Sequence, residues 1–166
     1  MRIEITKGRT EDRIAIFRAD GTEARTRFPK KGPLPHDAVH FVVEQGLGLT
    51  RGFWGMVAQG RHPDQLAKIA KAAGHASASR AGLPGGDIVE LLQAERVVEA
   101  FEAQLWSGGG DLAGLLAMAE PGCAASHVAC PQIAPAQHER ITKALNSFAA
   151  TWTGAQVGHV AAMQWA

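Results

Sequence analysis

Apolar and polar residues alternate through the first thirty positions and then switch to a helical period. Ile3 and Ile5 alternate with Glu4 and Thr6, and Arg13–Arg18 is rich in strand-forming residues. Asp20-Gly21 follows, a pair that predicts a hairpin closed by a type I′ turn with positive φ at both central residues. From Thr22 to Phe28, Ala24, Thr26 and Phe28 alternate with Glu23, Arg25 and Arg27, and Pro29 ends the run. This pattern predicts an antiparallel sheet with one wet face.

Beyond the stiff turn Lys30–Pro35 the apolar residues recur every three or four positions. Pro35 suits a first helical position, and the first helix runs to about Gly46. Thr50 is placed to cap a short segment, Arg51–Gln59, that carries Phe53 and Trp54. Pro63 opens a helix with Leu66, Ile69, Ala70 and Ala73 on one face and Gly74 as its stop. His75–Gly86 reads as a surface loop. Asp87-Ile-Val-Glu90 has the form of a capping box, and Ile88, Leu91, Leu92, Val98, Phe101 and Leu105 make a core stripe ended by Ser107–Gly110. Asp111 caps a short helix through Ala119, and 120–135 is irregular. Pro135 opens a last helix bearing Ile141, Leu145, Phe148 and Trp152. His159–Trp165 has strand character and is suited to join the N-terminal sheet. The expectation is one α+β domain over 1–166. Its hairpin region is 1–30, its helical region 35–152 and its C-terminal strand 159–165, giving an antiparallel sheet of three or four strands with about five helices on one side.

Composition narrows the class. The chain has 166 residues, 46% hydrophobic and 20% charged, which is too apolar for disorder and right for one core. A formal charge of +1 gives no default reason to expect nucleic acid or an anionic membrane as partner. The charge is uneven, however: residues 1–31 hold nine basic and five acidic groups, and residues 87–120 hold one and seven. A basic hairpin and an acidic helix would permit an oriented, salt-sensitive self-contact, so a homo-oligomer is one expectation. No apolar run approaches the ~20 residues that span a bilayer. The charged N-terminal run is unlike a signal peptide, and two cysteines without such a signal suggest free thiols and a cytoplasmic setting.

The candidate chemistry lies on the first helix. On a wheel turning about 100° per residue, His36, His40, Glu44 and Asp37 fall within about 100° of one another, and the remainder is mostly Phe, Val and Ala. Imidazoles at i and i+4 can chelate one metal ion, zinc or another divalent cation. The run His36-Asp-Ala-Val-His40 is the zincin pattern with Asp37 in place of glutamate. His36 and His40 would then be ligands, with Asp37 as general base or orienter and Glu44 as a further acid–base group. Glu44 lies about 12 Å of helical rise from His36 and cannot readily share that ion. The third ligand is left among His62, Cys123, His127 and Glu95. Without metal, His40 and Glu44 form a hydrogen-bonded pair suited to general base work. A purely structural network, with Asp37 on the free N–H groups of the first turn, is the remaining reading.

The run Leu34-Pro-His-Asp-Ala-Val-His-Phe-Val-Val-Glu44, with Gly46–Gly55 after it, resembles the L-P-H-D-x-x-H-F-x-V-E motif of a family of uncharacterised small bacterial proteins. The tail Trp152–Trp165 is similar to theirs as well. The resemblance implies that His36, Asp37, His40 and Glu44 belong to one motif and assigns them no role.

Other features carry less. Cys123 and Cys130 flank His127 in a spacing that is not a recurrent zinc pattern. No phosphate-binding loop occurs. Phe53-Trp54 reads as core, Arg25 and Arg27 as a wet strand face, and His75 and Arg80 as solvated or as a lid over the His36 stripe. Two readings follow: a non-catalytic binding or interaction protein in which the four residues hold the helix, and, as the alternative, a small metal-assisted hydrolase.

Overall fold

The computed structural model describes residues 1–30, 32–72, 84–86 and 88–166. The alternating segments form β1 (Arg2–Thr6), β2 (Glu11–Phe17) and β3 (Glu23–Pro29), and the C-terminal segment forms β4 (Val160–Gln164). All pair antiparallel in the order β3-β2-β1-β4. The register sets Ile3 opposite Ile16 and Met163, Ile5 opposite Ile14 and Ala161, and Ile14 opposite Thr26. Every second residue therefore points to one face, and Ile3, Ile5, Ile14 and Ile16 are buried there. Arg25 and Arg27 lie on the exposed face, as their alternation requires. Main-chain bonds between Trp165 and Met1 and between Lys7 and His159, each 2.8 Å, tie the C-terminal strand to β1 at both ends.

The helices are α1 (His36–Leu47), α2 (Phe53–Ala58), α3 (Pro63–Ala72), α4 (Val89–Trp106), α5 (Leu112–Ala125) and α6 (Pro135–Gly154). One core joins the inner sheet face to α1, α4 and α6 through Val39, Phe41, Val43, Val97, Phe101, Leu145 and Trp152. Phe41 anchors it, with Trp54 and Trp165 edge-on at 5.6 and 5.2 Å. Gly46 lets α1 approach α6 closely, since a Cβ there would meet Ile141 Cγ1 at 2.3 Å. The architecture is α+β, with six helices among the described residues.

Several boundaries differ from the sequence expectation for identifiable reasons. The β2–β3 turn is not type I′. Gly21 has φ 82°, but Asp20 does not have positive φ; Gly21 N–H bonds Arg18 O, and Arg18 N–H bonds Thr22 O. This is a three-residue loop, a type I turn followed by a left-handed glycine. Asp20 Oδ1 fixes it by accepting from the Thr22 N–H and hydroxyl. Helix α1 passes Gly46 and closes on Gly48, whose φ of 74° suits a left-handed C-cap. Gly52, not Thr50, stands at the N-cap of α2. Helix α4 begins at Val89 with Ile88 at its N-cap and no side-chain cap, and Glu90 instead accepts the Arg51 N–H at 2.7 Å. Asp87, the other half of the expected capping box, lies outside the described residues. Helix α5 continues through Pro121, which lies inside it and has no N–H to give the preceding turn. Buried Cys123 and the Ser126 N–H bonded to Gly122 O hold the turn beyond it. Ala73, Gly74, most of the His75–Gly86 loop and the His75/Arg80 lid also lie outside the described residues. Among those described, no helix is long and apolar enough to cross a membrane.

Candidate metal centre

Helices α1 and α4 meet along the polar stripe of α1. His36, His40 and Glu44 come from successive turns of α1; Glu95 and Glu102, seven residues apart on one face of α4, lie opposite. His40 Nε2 lies 2.9 Å from Glu95 Oε2, and His40 Nδ1 lies 2.9 Å from Glu44 Oε1. His36 repeats the arrangement, with Nδ1 3.0 Å from Glu102 Oε1 and Nε2 3.4 Å from the same Glu95 oxygen. Each ring thus has one nitrogen on a private carboxylate and the other on a shared one. The rings stand edge to face, centroids 4.7 Å apart.

The outer shell fixes these groups. Glu44 is fully buried, and its second oxygen accepts the Trp54 N–H at 2.8 Å. Trp54 in turn donates its indole N–H to Asp37 O at 2.8 Å, so α2 clamps α1 at two points. Gly52 is required for this clamp, because a Cβ there would lie 2.5 Å from Glu44 Oε2. On α4, Arg96 points away, to Glu99 and to Ser126 Oγ.

Burial disfavours the charged imidazole of His40, but hydrogen bonds to Glu44 and Glu95 outweigh it and raise the pKa to about 10. For His36 burial again works downward, and Glu102 and Glu95 reverse it, so its pKa is also raised. Without an ion His40 holds its second proton near neutral pH, and Glu102 and Glu95 favour the charged form of His36.

The geometry suits a metal. One ligand atom each from His36, His40 and Glu95 lies within 4.8 Å of the others. Ligands about 2.0–2.1 Å from a tetrahedral ion stand about 3.3–3.5 Å apart, so little movement is needed. All three residues, with Asp37, line a cavity of about 290 Å³. Phe28, Pro29, Phe53, Ala67, Ala70 and Leu91 form apolar walls of the same cavity, and the exposed Lys71 also lines it. A larger groove, about 870 Å³, runs along α6 and β4 and is lined by none of these ligands.

Of the residues singled out in the sequence, His36 and His40 converge, Asp37 lines the cavity, and Glu44 orients His40 rather than facing the ion site. Among the four candidates for a third ligand, Glu95 is the one brought in. His62 is exposed beside Asp64, His127 is exposed beyond α5, and Cys123 is buried near Cys130. Burial pushes the Cys123 thiol up to about 12 and raises that of Cys130, so both are protonated free thiols at neutral pH. Phe53 is half-buried on the cavity wall, whereas Trp54 is core. Glu102 was not singled out. Its signal was a carboxylate seven residues after Glu95, both on a helix whose neighbouring positions are largely apolar. Comparison with protein-family models, curated proteins and solved structures returned no match. Function therefore rests on the geometry of the site.

Proposed function

We propose that the protein binds one divalent transition-metal ion, zinc above all, through His36, His40 and Glu95, and uses it in hydrolytic chemistry on a small molecule. The observation that carries this reading is the division of labour on each imidazole. Nδ1 is held by a carboxylate, Glu102 or Glu44, while Nε2 turns toward Glu95. Outer carboxylates that fix the tautomer and aim of ligating histidines are a recurrent feature of metal sites. Charge supports it too. Glu44, Glu95 and Glu102 around the two rings supply negative charge to balance a divalent ion, while each Nδ1–H would still donate to its own carboxylate.

Three protein ligands leave a coordination position, and the ligands line the cavity, so that position faces space for a substrate. A bound zinc would supply a Lewis acid and a water acidic enough to act near neutral pH. The chain's own groups do the rest. Glu44 and Glu102 hold the rings, the Trp54 N–H holds Glu44, and Asp37 is the cavity carboxylate outside the ligand set, suited to moving a proton. The second reading, a non-catalytic binding protein stabilised by this network, is favoured by one fact: every ring nitrogen of His36 and His40 already has a carboxylate partner.

Metal analysis of untagged protein, joined to melting with and without zinc, separates the two. The expected result is about one ion per chain and a rise in melting temperature that His40→Ala abolishes. No retained metal and equal melting of both proteins would sink the metal reading.

A further inference from the structure

The cavity beside the ligand trio says more about what is bound than the trio does. Besides His36, His40 and Glu95 its walls include Phe28 and Phe53, whose rings meet edge to face at 6.3 Å and 69°. From α3, Ala67 and Ala70 contribute only methyl groups and the exposed Lys71 a charged chain, while Pro29 and Leu91 add further apolar surface, so the lining remains mostly apolar. Small residues here leave room where a larger side chain would fill the space. At about 290 Å³ the cavity sits at the lower end of the range for small-molecule sites, roughly 300–1,000 Å³. The size suits one ring with a short extension and is too small for a sugar chain or a peptide.

We infer that the ligand is a compact apolar molecule of about one ring, carrying an oxygen donor that reaches the ion held by His36, His40 and Glu95 while its body packs between Phe28, Phe53 and Leu91. This rests on the metal reading above and specifies its substrate class: an aryl or short branched acyl compound rather than a polar metabolite. Phe53 is then a specificity-determining residue that touches the ligand body and not the ion.

The test uses the full chain loaded with cobalt(II), whose visible absorption reports the coordination sphere, titrated with benzohydroxamate and with acetohydroxamate. The two probes share a metal-binding head and differ in the ring. Burying a ring-sized apolar group favours the first by about ten- to a hundredfold. Phe53→Ala should keep the cobalt spectrum and lose most of that preference. Ala67→Leu, which fills the cavity, should weaken benzohydroxamate at least tenfold and leave acetohydroxamate within about threefold. Equal affinity for the two probes, or a preference that survives both substitutions, overturns the inference while leaving the metal site standing. A chain that takes up no cobalt overturns both.

Discussion

Glu44 shows how one residue can hold a candidate site together without lining its cavity. It is fully buried, with one oxygen on His40 and the other on the Trp54 N–H. Glu44→Ala leaves a buried imidazole nitrogen and a buried N–H without partners, which costs about 3 kcal/mol, whereas Glu44→Gln keeps a similar shape and costs less. Denaturant unfolding of the two variants checks the order, and equal losses would show that the charge, not the bonds, matters. His40 adds a pH dependence of definite sign. In the metal-free protein its pKa is raised to about 10 from an ordinary value of 6.5. The stabilisation from its charged form is therefore complete below about pH 6.5 and is lost as pH rises through about 10. Chelator-treated protein should lose stability across that window, and His40→Gln should flatten the slope. Zinc affinity runs the other way: it should rise with pH, with up to two protons released per ion, because the ion replaces protons on His36 and His40. Calorimetric titration in buffers of different ionisation enthalpy measures that release, and none at all would mean the rings are not the ligands.

At the scale of elements, α5 carries a defect that can be removed. Pro121 lies inside the helix and is exposed, so it disrupts no packing but leaves one carbonyl without its helical N–H. Pro121→Ala restores the bond and should stabilise the chain by about 1–2 kcal/mol, after the extra freedom gained by the unfolded state is allowed for. A thermal melt is sufficient to test it. The same helix marks a limit of what the sequence makes legible. A proline after Ala119 reads as a stop, because local patterning cannot register that Cys123 finds a buried place against Leu92 and Val128 one turn later. Asp20-Gly21 likewise announces a hairpin but not its type. Thr22, bonded to the Asp20 side chain, decides for the wider loop. The strands, the α1 stripe and the α4 core stripe were legible because each obeys one period. The site was legible on α1 and largely hidden on α4. Glu95 could be named only as one of four candidates, since sequence spacing carries no information about which helix packs opposite. Glu95 and Glu102 do have one local signature: both interrupt a mostly apolar face, where a buried carboxylate needs a partner.

At the scale of the molecule, the uneven charge of the chain has an internal explanation. The carboxylates of the acidic helix are largely engaged: Glu95 and Glu102 on the histidines, Glu99 on Arg96, Glu90 on the Arg51 N–H. Much of the acidity that suggested a docking face thus serves the contact between α1 and α4. The same connectedness reaches the C-terminal strand. Trp165 packs edge-on against Phe41, Phe41 against Trp54, and the Trp54 N–H holds Glu44, which orients His40. Removing 159–166 would uncover Ile3 and Ile5 along the edge of β1 and empty the space beside Phe41. Loss of a partly buried tryptophan alone costs about 2–4 kcal/mol. Losing β4 with its main-chain bonds costs more, enough to threaten a domain whose total stability is of order 5–15 kcal/mol. Trp165→Ala should therefore fold with a lowered melting temperature, and the chain ending at Gly158 should melt lower still. Both should bind zinc more weakly than the full chain, with the loss tracking the drop in stability, because the ion binds only where α1 is held in place. Unchanged zinc affinity in a markedly destabilised Trp165→Ala would break the chain of contacts from β4 to His40, and would show that α1 and α4 form the site without the sheet.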